Sequence, residues 1–171
     1  PRTPTDRSFN IFFDAGSWHG YSLPLADDTA TGFSGPFVHS LGDGQWVGTR
    51  FAQLALRDAG SKQSIALSSV DSHAAPGYLV RRFSGPGLKV SQTLFFADSW
   101  HALVRIELTA TTSRDVDLSV AGRIMPRQQT WLVRDGGAVT QTFAHSNSKL
   151  TTQLHADGVA ADQVTLSGAD Y

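Results

Sequence analysis

The chain has 171 residues, enough to bury one hydrophobic core, and we predict a single domain over residues 1–171. Its 14 basic and 15 acidic residues nearly cancel and the longest basic run is Arg81-Arg82, so the concentrated positive face that nucleic-acid binding needs is absent. No apolar stretch approaches the roughly 20 residues of a membrane helix, and no Cys is present to form a disulfide, a thiolate metal site or a nucleophile.

The residue types favour strands and turns over helices. Glu107 is the only Glu, whereas Asp, Thr, Ser and Gly are frequent. Residues 1–45 are rich in Gly, Pro and aromatic residues and alternate poorly, which predicts an irregular entry segment. Residues 46–171 show period-two alternation between turn residues, which predicts regular strands. The predicted fold is all-β, an antiparallel β-sandwich of the super-sandwich type.

A hairpin carries the clearest alternation. Residues 88–96 and 102–108 each place apolar side chains on one face and polar side chains on the other, and Ala97-Asp98-Ser99-Trp100 is the predicted loop. Two further hairpin connections are predicted at residues 57–61 and 134–137, because Gly and Asp tolerate a positive φ. The remaining predicted strands are 51–56, 63–69, 78–83, 116–123, 131–133, 138–143, 150–155 and 164–167.

The densest cluster of residues suited to binding lies at 10–24, NIFFDAGSWHGYSLP, followed by GFSGP at 32–36. Aromatic faces pack on the apolar faces of a pyranose, Asp and His bond its hydroxyls, and Gly allows close approach of the backbone. The candidates for a substrate rim or an interface are Phe12, Phe13, Asp14, Trp18, His19 and Gly20. The alternative is that the three aromatic residues belong to the core and that His19 is a satisfied polar group.

The string NxFFDxGxWHGxxLP and the later GFxG resemble the start of the β-sandwich domain in bacterial members of glycoside hydrolase family 63, relatives of the processing α-glucosidase. VSQTLFFA at 90–97 and ALVRIEL at 102–108 are similar to paired strands in the N-terminal sandwiches of several (α/α)6-barrel glycosidases. The resemblance implies a non-catalytic N-terminal domain that packs on an (α/α)6 catalytic barrel of the same polypeptide. The resemblance further implies that this barrel cleaves an α-glycosidic bond of an oligosaccharide or glycoside with inversion. It also implies a sandwich longer than 171 residues, so we expect the chain to end before its last strands.

Catalysis by the chain itself is not predicted, and neither a metal nor another cofactor is expected. Inversion needs a general acid and a general base about 6.5–9.5 Å apart, one of them with a raised pKa. Glu107 lies mid-strand opposite Arg105 and is interpreted as a surface charge. The six His residues include no HExxH pattern, and Ser34 lacks the strand-to-helix turn of a nucleophile elbow. The Asp candidates all lie in predicted turns, where Asp commonly forms the turn: Asp27, Asp28, Asp43, Asp58, Asp98, Asp115 and Asp135.

The sequence leaves both the function and the compartment open. A free-standing carbohydrate-binding or adhesion sandwich is the alternative function. The compartment is not fixed by the lack of Cys, although a periplasmic or secreted location is favoured over a cytoplasmic one.

The spectrum and the activity of the purified chain test the predicted fold and the predicted lack of catalysis. We expect a strand-dominated far-UV circular dichroism spectrum and no turnover of aryl α-glucosides, because the pattern has period two and lacks a recognisable carboxylate pair. Turnover that persists after contaminating glycosidases are removed contradicts the prediction.

Overall fold

The computed structural model of the chain describes residues 3–39, 41, 44–125, 130–135, 138–143 and 149–153. Strands β1 to β12 account for all regular structure in these ranges. Their bounds are His19–Ser22, Ser34–Val38, Gln45–Trp46, Gly48–Asp58, Ser68–Ala75, Tyr78–Gly85, Leu88–Phe96, Ala102–Ala110, Val116–Ile124, Thr130–Asp135, Ala138–Phe143 and Lys149–Gln153. The all-β class is therefore confirmed. Within the same ranges the chain forms no helix of the length and hydrophobicity that crossing a bilayer requires.

The strands form antiparallel sheets that pack face to face as a sandwich. One sheet has the order β5-β6-β7-β8, and the pair β4-β9 packs on it through a cluster that includes Leu56, Phe83 and Val90. The sheet β1-β2-β3 packs on the β6–β8 region through Tyr21 and Leu94. The sheet β10-β11-β12 contacts the sheet β1-β2-β3 around Val47, the residue that follows β3. The predicted antiparallel sandwich is confirmed.

The hairpin of β7 and β8 confirms the clearest sequence pattern. All nine residues of β7 have a partner in β8, from Leu88 with Ala110 to Phe96 with Ala102. Alternate residues of β7 are buried because β4 and β9 cover only one face of the sheet. The predicted connection forms as a turn, in which Asp98 Oδ1 accepts the backbone N–H groups of Trp100 (2.7 Å) and His101 (2.8 Å).

The strand predicted at 63–69 is wrong in position. In the structure, residues 63–67 make a single bridge, between Arg57 and Ser64, and the strand itself, β5, is Ser68–Ala75. Ile65 and Leu67 pack against the core cluster from a loop, which produced the misleading alternation. β5 itself is an exposed edge strand rich in Ser and Ala, so its sequence carries little pattern.

The irregular segment 1–45 contains two strands that alternation could not reveal. All residues of β1 and β2 are buried, and a strand buried on both faces has no polar side to alternate with. Of the predicted strands near the C-terminal end, 138–143 matches β11, 131–133 lies within β10 and 150–153 lies within β12. His155, Asp43, the Gly136-Gly137 connection and the strand predicted at 164–167 lie outside the described residues.

A buried arginine fixes the loop between β1 and β2. Arg81 of β6 is 2% exposed, and its guanidinium donates to the carbonyl oxygens of Ala30 (2.6 Å), Gly32 (2.7 Å) and Asp28 (3.2 Å). Burial lowers the pKa of Arg81 to about 10, so the group stays charged at neutral pH. From β7, the Gln92 side chain accepts the N–H of Gly32 at 2.8 Å. Core side chains thus supply the hydrogen bonds that a loop cannot make for itself.

Substitution of Arg81 by Met tests this attachment. A buried carbonyl left without a donor costs about 1–3 kcal/mol, so Arg81→Met is expected to lower the free energy of unfolding by about 3 kcal/mol in urea denaturation. The neighbouring Arg82 is the matched control. It pairs with Asp71 on the exposed face, and Arg82→Met is expected to cost less than about 1 kcal/mol. Equal losses in the two variants contradict the assigned role of Arg81.

Candidate functional site

Within the motif, Asp14 begins a tight turn. The N–H of Ser17 donates to the carbonyl of Asp14 at 3.0 Å, and the two central residues, Ala15 and Gly16, have φ values of 52° and 71°. Positive φ at both positions defines a type I′ turn, in which Ala15 is strained and Gly16 is not. Asp14 Oδ1 accepts the N–H of Ala15 at 2.7 Å, which orients the carboxylate beside the turn. Asp14 is exposed, as contact with a substrate or a second domain requires.

Phe12 and Phe13 have different environments. Phe12 exchanges two backbone hydrogen bonds with Tyr21 and lies 5.6 Å, ring to ring, from Phe96, so it belongs to the core edge. Phe13 is exposed and meets the Phe37 ring edge-on at 6.0 Å. Gly20 explains how the segment fits here, since a Cβ at that position would stand 2.7 Å from Ile11 Cγ2 and 2.9 Å from the carbonyl oxygen of Phe12.

Trp18 and His19 lie side by side at the beginning of β1. The Trp18 ring is half-buried and packs against a cluster that includes Val38 and Val47, 5.1 Å from the His19 ring. His19 is only 2% exposed and lies between Tyr21 (5.8 Å) and Phe96 (5.3 Å). The structure therefore places the His19 imidazole behind the surface instead of on it.

Two polar atoms in this pair are buried without a hydrogen-bond partner among the described residues. They are Trp18 Nε1 and His19 Nδ1. Burial, together with the charge of the nearby His101, lowers the pKa of His19 to about 4, so the imidazole is neutral at physiological pH. A buried polar group without a partner lowers stability, and native proteins contain few of them.

Sequence reasoning missed the most exposed aromatic residue near this motif. Trp100, in the loop between β7 and β8, is 69% exposed, and its ring centroid lies 6.2 Å from that of Trp18. The neighbouring Asp98 carboxylate lies 2.8 Å from Nδ1 of His101. The N–H of Trp100 and the His101 ring hold the pKa of Asp98 below its usual value. The signal in the sequence was a Trp in a short hairpin loop, where a residue of the hydrophobic core is not expected.

Three further apolar side chains lie in the sheet close to the hairpin loop that contains Trp100. Tyr78 pairs with Phe95 and Phe95 pairs with Leu103, so the three form one row across β6, β7 and β8 next to the Trp100 loop. Tyr78 and Leu103 are exposed. We call this surface the aromatic end of the sandwich; it comprises Trp18, Tyr78, Phe95, Trp100 and Leu103.

Two acidic residues considered for catalysis, Glu107 and Asp58, have structural roles. Glu107 pairs with Arg105 at 2.7 Å on the exposed sheet face, as predicted. Asp58 accepts a hydrogen bond from the N–H of Ser61 and pairs with Arg114, and these contacts lower the pKa of Asp58 to about 2. A general acid requires the opposite shift. Among the described residues, no three His, Cys, Asp or Glu side chains are grouped as a metal site.

Comparison with known families supports the sequence resemblance at the level of a glucosidase N-terminal domain. The family model described as "Glucosidase YgjK, N-terminal" matches residues 3–165 of the 171. The matched range includes the whole motif, the aromatic end and all twelve strands of the described residues.

The pKa of His19 predicts a pH dependence of folding. The unfolded chain binds a proton at His19 near pH 6.5 and the folded chain only near pH 4, so stability should fall as pH decreases from 6.5 to 4. The slope from one proton is at most about 1.4 kcal/mol per pH unit. The variant His19→Phe, which keeps a ring among Tyr21 and Phe96, should flatten the profile measured by urea unfolding. His73→Gln on the exposed face of β5 is the control, and an unchanged slope in His19→Phe refutes the prediction.

Proposed function

The chain belongs to the glucosidase YgjK N-terminal domain family, and we propose that it is the non-catalytic N-terminal domain of an inverting α-glycosidase of glycoside hydrolase family 63. In this proposal the aromatic end packs on the (α/α)6 catalytic barrel of the same polypeptide and forms part of the rim of the substrate pocket. The catalytic carboxylates belong to the barrel.

The observation that carries the docking proposal is that Trp100 contacts the Trp18 ring and is still largely exposed. A Trp that is 69% exposed, beside the exposed Tyr78 and Leu103, is an apolar surface of the kind that marks interaction sites. Trp and Tyr are enriched in interfaces because they combine a large apolar area with a polar atom. The family match supplies the partner, since an N-terminal domain of a glucosidase implies a catalytic domain in the same chain.

Trp18, His19 and Gly20 of the motif lie beneath this surface and support it. His19 and Trp18 fill the space under the Trp100 loop, and Gly20 lets the neighbouring segment pass close to β1. Direct contact with substrate is then assigned to the exposed groups of the aromatic end and to the Asp98–His101 pair. We propose Trp18 and His19 as positioning residues, and Asp14 as an exposed group at the same end.

The proximity of Asp14 to this end has a structural basis. Its Oδ2 would lie 3.7 Å from a Cβ on Gly77, the residue that precedes Tyr78 in the turn between β5 and β6. The turn that contains Asp14 and the turn that contains Gly77 therefore adjoin.

The alternative, a free-standing carbohydrate-binding or adhesion module, has support from the same exposed Trp. Stacking of an aromatic ring on a sugar beside an acidic side chain is a common binding arrangement. The two functions differ in what Trp100 contacts, which is a catalytic domain in one case and sugar alone in the other.

Substitution of Trp100 separates these functions. The chain and the catalytic domain of the same polypeptide are produced as separate proteins, and their dissociation constant is measured by calorimetry. Truncation of a central interface Trp typically costs about 2 kcal/mol or more, so Trp100→Ala should weaken association roughly 30-fold. Leu118→Ala, which removes an exposed apolar side chain from β9, should have little effect.

The covalent two-domain enzyme tests the pocket rim. Trp100→Ala should lower kcat/KM for an oligosaccharide at least about tenfold, equivalent to about 1.4 kcal/mol. Unchanged kcat/KM with weakened association leaves docking in place and rejects the rim. No association of the wild-type domains, together with sugar binding that depends on Trp100, favours the free-standing module.

A further inference from the structure

A cleft lies at the other end of β1 and β2 from the aromatic end. His19 pairs with Val38 at the aromatic end, whereas Ser22 pairs with Ser34 at the end where Ser34 lines the cleft. The cavity has a volume of about 470 Å³, within the range of about 300–1,000 Å³ for small-molecule sites. Its position makes it a separate feature from the proposed docking surface.

The cleft combines a paired charge with apolar walls. Arg50 forms an ion pair with Asp28, and the two side chains are 27% and 23% exposed, so each retains access to the cleft. Phe9 and Leu25 supply the apolar part of the lining. Phe9 is itself held by an edge-on contact with the Trp46 ring at 5.6 Å.

The charged wall is fixed before any ligand arrives. Asp28 Oδ1 accepts the N–H of Ala30 at 3.1 Å, and the Asp28 carbonyl accepts a hydrogen bond from the buried Arg81 at 3.2 Å. The N–H of Asp28 donates to the carbonyl of Leu25 at 2.9 Å, which closes the turn that bears both residues. A ligand therefore meets a carboxylate and a guanidinium already in position, which reduces the entropy lost on binding.

The charge of the cleft selects the class of ligand. Asp27 and Asp28 outnumber Arg50, whose charge is already paired, and this disfavours a phosphate or a carboxylate ligand. A cation is disfavoured because the positively charged Arg50 guanidinium would repel it. A neutral polyhydroxylated molecule avoids both conflicts, because its hydroxyl groups donate to a carboxylate and accept from a guanidinium. Its C–H faces fit against Phe9 and Leu25.

We infer that this cleft is a second carbohydrate site, which binds a neutral sugar unit between the Asp28–Arg50 pair and the apolar side chains of Phe9 and Leu25. The site goes beyond the proposed function and does not depend on docking of the aromatic end. In an enzyme that acts on oligosaccharides it would hold a part of the substrate, or a neighbouring chain, away from the catalytic pocket.

The test uses the chain without a catalytic domain, so its outcome is independent of docking. Maltose, a neutral disaccharide, is titrated into the ¹⁵N-labelled protein to about 10 mM and backbone amide shifts are followed by NMR. We expect saturable shifts in residues 25–30 and 49–50. Arg50→Gln should weaken binding at least tenfold. Arg82→Gln, which removes a guanidinium from an ion pair with Asp71 elsewhere on the surface, should leave the affinity within twofold.

Other outcomes overturn the inference. An absence of saturable shifts in the wild-type chain rejects the site, and shifts confined to residues 98–101 transfer sugar binding to the aromatic end. Tighter binding of glucose 6-phosphate than of maltose, or binding of Ca²⁺ without binding of maltose, rejects the neutral ligand class. If Arg50→Gln fails to fold, Leu25→Ala, which removes an exposed apolar side chain from the cleft wall, replaces it. Unchanged affinity in that variant then rejects the assigned geometry.

Discussion

The buried guanidinium of Arg81 is the interaction on which the N-terminal part of the structure depends. It extends from β6 to three carbonyl groups of the β1–β2 loop, a segment that forms no regular strand. The ring of Phe83 lies under the guanidinium at 4.9 Å, which stabilises the charge on its apolar side. Because this loop leads directly into β2, its attachment to β6 also fixes how β1 and β2 lie on the larger sheet. Two of these carbonyl groups, those of Asp28 and Ala30, belong to residues that line the cleft, so the attachment fixes the cleft wall directly.

Gln92 and Thr31 complete this attachment by the same means. Gln92 Nε2 donates to the carbonyl of Ala52 at 2.8 Å while its Oε1 accepts from Gly32, so one amide joins the loop to β4. The Thr31 hydroxyl accepts the N–H of Leu54 and donates to its carbonyl, as a strand residue would. Polar side chains buried in this way add modestly to stability, but they are costly to leave unpaired. They specify one position for a segment whose apolar residues alone could pack in several ways.

How much the sequence predicted depended on whether a strand has one buried face or two. The β7–β8 hairpin has one, and its pairing followed from alternation alone. β1 and β2 are buried on both faces, so their sequences show no alternation that would distinguish a strand from an irregular aromatic segment. The strand predicted at residues 63–69 is wrong for the converse reason, since Ile65 and Leu67 alternate with polar residues but pack on the core from a loop. Arg81 and Gln92 fall in phase with the apolar residues of their strands, but alternation gives no reason for a polar side chain on the buried face. Only the tertiary structure reveals that these side chains bond the backbone of the β1–β2 loop.

The motif that carries the family resemblance and the exposed surface that we propose for docking consist largely of different residues, and packing explains why. A short segment pressed between two sheets tolerates few side chains at each position: Gly20 has no room for a Cβ, and His19 is enclosed by aromatic rings. Such positions define a scaffold, so a match to them identifies the domain. Trp100 meets no comparable restriction, since its loop needs only the turn geometry that Asp98 provides and its ring projects outward. Its presence there is not required by the fold, and an exposed Trp without a structural reason is the stronger indication of a partner. Within this domain the resemblance therefore identifies the framework, and the exposed groups that the framework supports are the place to look for specificity.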